Sequence, residues 1–275
     1  MLDRELEQVA QILLEHPPLV LSGAGMSTDS GIPDYRGPDG QRRVVPMQYA
    51  EFIGSSAARQ RYWARSFVGW QRFTSAGPNA GHRALARIQA AGHAGAVITQ
   101  NVDGLHQGAG TRDVVELHGA LADVVCLTCE DRTTRRDLDD QMRAANPGFV
   151  VGGDEIRPDG DISLEAVDVE RFVPPRCRVC ASDTLKPDVV FFGESVPKAR
   201  VERCFALTEQ AGALLVLGSS LKVMSGLRFV RRAAARRIPI VIITHHVSRG
   251  GELATVHLRA GLSPTLSALA AHLAA

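Results

Sequence analysis

"LVLSGAGMSTDSGIPDYRG", Leu19 to Gly37, starts with three apolar residues and breaks at Gly23-Ala24-Gly25 into a glycine-rich turn. A short strand running straight into such a turn suits a parallel α/β sheet, because glycine lets backbone amides approach a phosphate closely. Ser27, Thr28 and Ser30 follow as hydroxyls that can reach a ligand or cap a turn. The stretch departs from the ordinary dinucleotide fingerprint of dehydrogenases. Thr28 stands where a third Gly or Ala is needed, and no second strand ending in an acid is evident roughly 20 residues on. Hydride transfer loses support accordingly.

The rest of the chain repeats the alternation that this stretch begins. Leu2, Val9, Ile12 and Leu13 recur at helical spacing, and Pro17-Pro18 stops that helix just before "LVL". Further apolar runs, "GAVIT" at 95, "ALLVLG" at 213 and "IPIVIIT" at 238, lack a period of two, as strands covered on both faces do. Helical candidates lie between them at 82–91, 198–211 and 226–237. The expected fold is α/β: a parallel sheet with helices on both faces. Residues 123–186 break the alternation, holding four of the five cysteines and the turn-rich "NPGFVVGGDEIRPDGDIS", and read as a small inserted module. Residues 1–122 and 187–275 then form the larger domain, with a helical and loop part at about 36–75.

Composition narrows the classes of partner. At 275 residues and 45% hydrophobic, the chain can bury a large core. Lys and Arg total 31 against 30 Asp and Glu, so no overall field draws it to nucleic acid or an anionic membrane. The run "RRAAARR" at 231–237 reads as the solvated face of an Ala-rich helix. No apolar stretch is long enough for a bilayer, and the N-terminal residues lack the pattern of a secretory or transit segment, which predicts a cytoplasmic location. In a reducing compartment, paired cysteines mean metal or redox chemistry more often than disulfides.

Cys126-Leu-Thr-Cys129 and Cys177-Arg-Val-Cys180 are two such pairs, and together they suggest a closed tetrahedral zinc site, ahead of a redox or disulfide role. The 47 residues between them (130–176) exceed ordinary ribbon spacing, so the ligands have to converge around an insertion. Four thiolates leave zinc no open position, which makes it structural. Cys204 falls in a helical stretch and reads as a small buried hydrophobe. "TQNVDGLH", 99–106, follows a buried-looking strand with Gln100, Asn101 and Asp103 in close succession. Polar groups there either face water or grip a ligand, because burying them without partners is costly.

Taken in order, "GAGMS", "GIPDYRG", "TQNVDGLH", "ELHG", the two CxxC pairs, "KPDVVFFGE" and "GSSL" make the chain resemble a sirtuin, an NAD-dependent protein lysine deacylase, over nearly its whole length. "RQRYWARSFVGW" and the longer cysteine insert are most similar to the class II, mitochondrial sirtuin 4 type. The resemblance implies a Rossmann-like NAD-binding domain with a smaller zinc-binding module. It also implies one structural zinc, NAD as cosubstrate, and acyl-lysine proteins or peptides as partners.

For individual residues, the resemblance implies that Asn101 and Asp103 recognise the nicotinamide carboxamide and that Gln100 reaches the adjoining ribose. His118, which in isolation would pass as a structural hydrogen-bonder, becomes the general base, and Asn101 is implied as a catalytic residue as well. The acyl oxygen attacks the anomeric carbon, nicotinamide leaves and an alkylamidate forms. His118 then deprotonates the ribose diol so that the 2′-hydroxyl attacks the alkylamidate carbon, giving free lysine and 2′-O-acyl-ADP-ribose. Gly23, Ala24, Gly25, Ser27, Ile32, Asp34, Tyr35 and Arg36 are implied cofactor contacts. So are Gly218, Ser219, Ser220, Thr244 and Ala260. Tyr35 replaces the more usual Phe and Thr244 a more usual Asn. Val190, Phe191, Phe192, Gly193 and Glu194 match a segment whose backbone pairs with an extended peptide.

Tyr62 and Arg65 carry the Tyr-x-x-Arg spacing by which desuccinylating sirtuins recognise an acidic acyl group, since i and i+3 share a helix face. A packed aromatic with a surface arginine is the other reading of the pair. Two alternatives to deacylation share these motifs: mono-ADP-ribosylation of a protein nucleophile, and a catalytically silent NAD-sensing module.

Overall fold

Pro17 and Pro18 end the first helix, Leu2–Glu15, as their missing amides and fixed geometry require, and the chain turns directly into a buried strand. In this computed structural model the described residues are 2–35, 45–149, 164, 166–245 and 248–274. In chain order the strands are β1 (Leu19–Ser22), β2 (Val97–Thr99), β3 (Val114–Glu116), β4 (Gly119–Cys126), β5 (Arg132–Thr134), β6 (Leu185–Val189), β7 (Leu214–Leu217), β8 (Ile240–Ile243) and β9 (Val256–Leu258). The chain divides into two compact units. One comprises Met1–Arg42, Gly77–Leu117 and Val196–Ala275; the other comprises Arg43–Ala76 and His118–Ser195.

The larger unit is a parallel six-stranded sheet in the order β3-β2-β1-β7-β8-β9. Consecutive strands move outward one way from β1 and then the other way from β7, which is the doubly wound order with its switch point between β1 and β7. Alternate strand residues supply opposite faces. Val20, Leu215, Leu217, Val241 and Ile243 pack with Val9 and Leu13, Leu85 and Ile88, and Leu262, Leu266 and Leu269. Those side chains come from helices Leu2–Glu15, Ala80–Ala90 and Leu262–His272. Leu19, Leu21, Leu214, Val216, Ile240 and Ile242 pack with Cys204, Leu227, Phe229 and Val230 from helices Lys198–Gln210 and Met224–Ala235. Both faces are therefore dry, which is why the strands lack a polar alternation. Cys204 lies fully buried in this core, where burial pushes its thiol up to about 11. On Met224–Ala235 the solvent side carries Arg231 and Arg232, the latter paired with Glu209.

The second unit is an antiparallel sheet, β5-β4-β6, with helices Tyr49–Gly54, Ser56–Ser75, Arg135–Ala145 and Ala166–Arg171. Its core joins Phe52, Tyr62, Trp63 and Phe67 to Val124, Leu138, Met142, Phe172 and Leu185. Two buried cations tie helix Ser56–Ser75 to the cysteine-bearing segment. Arg59 donates from Nε and Nη2 to Asp183 at 3.1 and 2.9 Å. Arg135 pairs with Asp139 at 3.1 Å, donates to the Ser66 carbonyl at 3.2 Å, and faces the Trp63 and Trp70 rings at 5.5 and 4.7 Å. The helical part expected at about 36–75 thus has its described residues, 45–75, in this unit. No described helix is long and apolar enough to cross a membrane.

Candidate functional site

In the larger unit, five strands deliver the sequence-singled residues to one edge of the sheet. β1 runs into Gly23-Ala24-Gly25, β2 into Gln100 and Asn101, β7 into Gly218-Ser219-Ser220, β8 into Thr244, and β9 leads to Ala260. In an open doubly wound sheet this carboxyl edge, at the switch point, is where ligands bind. The two glycine turns meet there. The Gly23 amide donates to the Leu217 carbonyl and that of Gly25 to the Gly218 carbonyl, both at 2.9 Å. Gly218 is left-handed at φ 61, and a Cβ on it would stand 2.6 Å from the Met26 nitrogen. Only glycine permits this approach, and the resulting cradle, bare of side chains, lets the phosphates of a dinucleotide come close to the main chain.

Beside the cradle the polar side chains are wired together. Ser27 Oγ donates to Asp103 Oδ2 at 2.6 Å and receives the Asn101 Nδ2 hydrogen at 3.0 Å. Asp103 Oδ1 takes the Leu105 amide at 3.0 Å, which fixes the carboxylate across a left-handed Gly104. Ser219 Oγ donates to Gln100 Oε1 at 2.6 Å, joining the ends of β7 and β2. Ser27 and Asn101 are buried; Gln100 and Asp103 are half-buried. Each Asp103 oxygen has one bond within this cluster and room for another, so a carboxamide can be held by Asp103 and Asn101 together. Ile32 is buried, Asp34 and Tyr35 are half-buried, and Arg36 lies outside the described residues.

Beneath this cluster sits a buried layer that sequence reasoning missed. Asn79 caps helix Ala80–Ala90 through its side-chain oxygen, and its Nδ2 donates to the Met26 carbonyl at 2.8 Å and to Ser30 Oγ at 3.1 Å. His82 completes the capping box and meets the ring of His106 edge-on at 5.0 Å. His106 Nε2 lies 2.8 Å from Ser22 Oγ. The signal available in the sequence was the Asn-x-x-His start of a helix, a cap pattern.

Burial pushes His82 down to about 4, against the pull of Asp103, and His106 down to about 3. Both rings are therefore neutral in the folded chain at pH 7. Below the ordinary histidine value of 6.5 the unfolded chain takes up protons that the folded chain refuses, so stability falls with pH toward the folded values of about 4 and 3. The loss between pH 7 and 4.5 is on the order of 2 kcal/mol per histidine. Urea melts at the two pH values measure it. His106→Gln is expected to flatten the pH slope, and an unchanged slope would refute the assignment.

In the second unit, His118 is half-buried in the turn between β3 and β4. Its carbonyl accepts the Val190 amide at 2.8 Å. Gly119, at φ 81, lets β4 cross β6 so closely that a Cβ would fall 1.9 Å from the Asp188 oxygen. Phe192 leaves the strand to bridge Gln48, and its carbonyl accepts the Tyr49 amide at 2.9 Å. Phe191 packs on Phe52 and Tyr62 at 5.1 and 5.3 Å. Tyr62 and Arg65 share helix Ser56–Ser75. The tyrosine ring is buried among Phe52, Trp63 and Phe191, and Arg65 Nε is buried without a partner.

The four cysteine sulfurs all lie within 4.8 Å of one another, with Cys126–Cys180 and Cys129–Cys177 each at 3.6 Å. Tetrahedral zinc with Zn–S bonds of about 2.3 Å needs sulfurs about 3.8 Å apart, so the set fits zinc. Both pairs use the same turn. The Cys126 carbonyl accepts the Glu130 amide and the Cys177 carbonyl that of Ala181, both at 2.9 Å, and Glu130 and Ala181 are left-handed at φ 61 and 59. Thiols this close resist ionising together. Cys126 drops to about 6 against its own desolvation, through the Cys129 and Thr128 amides. Cys129 is pushed up to about 12: the Asp131 amide favours its thiolate, but desolvation and the three neighbouring thiols prevail. A divalent cation removes that conflict.

The chain as a whole is similar to known proteins. "NAD-dependent protein deacetylase 1" of Streptomyces coelicolor is 51% identical over 267 residues, covering 97% of this chain and 89% of the relative. "NAD-dependent protein deacylase Sirt4" of Drosophila melanogaster is 44% identical over 261 residues, 93% of this chain and 83% of that protein. A solved structure described as "Sir2-p53 peptide-NAD+" superposes with a TM-score of 0.78 at 27% identity, over 97% of this chain and 98% of that one. The Sir2 family profile matches residues 23–225, a span that takes in the glycine cradle, the Ser27–Asn101–Asp103 cluster, His118 and all four paired cysteines, and the chain belongs to the Sir2 family.

Proposed function

We propose that this chain is an NAD-dependent protein lysine deacylase, converting NAD, an acyl-lysine peptide and one water into nicotinamide, free lysine and 2′-O-acyl-ADP-ribose. The observation that carries this reading is the Ser27–Asn101–Asp103 cluster beside the glycine cradle, which offers matched donors and acceptors to a carboxamide next to a phosphate site. The names of the relatives, deacetylase and deacylase, support it. NAD, when bound, supplies an electrophilic anomeric carbon with nicotinamide as leaving group.

In this reading the residues at Gly23–Gly25, Gly218–Ser220, Thr244 and Ala260 hold the phosphates and adenosine half. Gln100 serves the nicotinamide ribose, and Asn101 and Asp103 hold the carboxamide. His118 removes the ribose proton as general base, a task that suits an imidazole near neutral pH. Peptide pairing at Val190–Glu194 has to work around bonds the segment already makes, with itself at the Phe191 amide and carbonyl and the Glu194 amide, and with His118 and Tyr49 at the Val190 amide and the Phe192 carbonyl. Tyr62 and Arg65 support the acidic-acyl reading to the extent that Arg65 Nε lacks a partner. The aromatic packing of Tyr62 supports the other. A reducing, cytoplasmic setting keeps the four thiols available to metal.

Mass analysis of products tests the proposal, using NAD with acetyl, propionyl, succinyl and hydroxymethylglutaryl versions of one peptide. The expected result is one nicotinamide and one acyl-ADP-ribose per lysine released. NAD consumption with ADP-ribose attached to protein and no lysine release would instead favour mono-ADP-ribosylation. No consumption with any peptide would leave a silent NAD-sensing module.

A further inference from the structure

Lys186 is a buried cation that the reaction described above does not use. It is 3% exposed, on edge strand β6 opposite Val125. An unpaired ammonium there would be prohibitive, and its partners are close: Nζ lies 3.2 Å from Glu194 Oε2 and donates to the Val189 carbonyl at 2.5 Å and the Pro187 carbonyl at 3.1 Å. It also sits 4.9 Å over the Phe191 ring. The same Glu194 Oε2 accepts the Phe191 amide at 2.8 Å, and the Glu194 amide returns to the Phe191 carbonyl at 3.0 Å across left-handed Gly193. All of these contacts except that to Pro187 bear on Val189–Glu194. Val190 in turn hydrogen-bonds the main chain of His118.

We infer that Lys186 is a positioning residue for acyl-peptide binding: with Glu194 it forms an internal clamp that sets the shape of Val190–Glu194. Glu194 then acts by turning its carboxylate inward, and the segment meets substrate through its backbone. The inference rests on the deacylase reading for the identity of the substrate, while the clamp itself is a property of the chain. Arginine can keep the charge and several donors at position 186, methionine keeps only the volume, and Glu194→Gln keeps an acceptor for Phe191 but removes the charge that faces Lys186.

The experiment combines steady-state kinetics on an acetyl-lysine peptide with hydrogen exchange over residues 189–194, on wild type, Lys186→Met, Lys186→Arg and Glu194→Gln. Lys186→Met is expected to raise the peptide KM about tenfold, with kcat and the KM for NAD within about threefold of wild type, because ground-state positioning is lost and chemistry is not. Amide exchange at Phe191 and Glu194 is expected to rise in the same variant. Lys186→Arg should recover most of the peptide KM, and Glu194→Gln should shift it in the same direction as Lys186→Met. Should Lys186→Met fail to fold, Glu194→Gln and Lys186→Arg decide. An unchanged peptide KM, a parallel loss in kcat and NAD affinity, or unchanged exchange would overturn the inference. A wild type that turns over no acyl peptide would sink the deacylase reading instead, and the exchange arm would still judge the clamp.

Discussion

His118→Ala is expected to fold, to bind NAD, and to deacylate about 10²–10⁴-fold more slowly than wild type, the range that removal of a general base commonly costs. The fold should survive because two anchors of this turn are main chain. The His118 carbonyl accepts the Val190 amide, and the close crossing of β4 over β6 depends on Gly119. Alanine keeps both. NAD binding should survive because the cradle and the carboxamide partners stand in the larger unit, on Gly23–Gly25, Ser27, Asn101 and Asp103. Single-turnover rates, NAD titration and a thermal melt, taken on the same preparation, separate the three properties. A folded variant with near-normal turnover would remove His118 from the chemistry.

The second large effect concerns metal. Purified protein is expected to carry about one zinc per chain, and chelation or Cys126→Ser should loosen the second unit. Structural zinc binding is worth about 10–16 kcal/mol in zinc-finger peptides, where folding waits on the metal. The loss here should be smaller, because this unit also has a core built on Phe52, Trp63, Leu138, Met142 and Phe172. Cys126 and Cys177 are themselves buried within that core, so a loosened knuckle disturbs its packing. Metal analysis and melts before and after chelation provide the check. Zinc-free protein with an unchanged melt would refute a structural site.

Local chemistry carried much of this molecule into its sequence. Pro17-Pro18 ends a helix in any context, and a run such as Leu214–Leu217 has no polar face to offer water, so the parallel sheet was legible. Gly23-Ala24-Gly25 announced a close backbone approach, and two CxxC pairs announced a tetrahedral site, because glycine geometry and thiolate coordination depend little on distant residues. Three-residue β2 was legible within the longer apolar run "GAVIT", but other short strands were not. β3, β5 and β9 have three residues each, too few to show a period.

Tertiary structure alone decided the partners of charges and caps. Helix Ser56–Ser75 carries no sequence mark that assigns it to the cysteine-bearing unit. It belongs there because Arg59 finds Asp183 124 positions away and Arg135 finds the Ser66 carbonyl 69 positions away, so that neither buried guanidinium is left without partners. The same holds for Lys186, whose ammonium is buried only because Glu194 and two carbonyls close around it. It holds for His82 and His106, which are neutral because the fold removes water from both rings. A buried charge or imidazole takes its meaning from what surrounds it in space, and low dielectric makes those surroundings decisive.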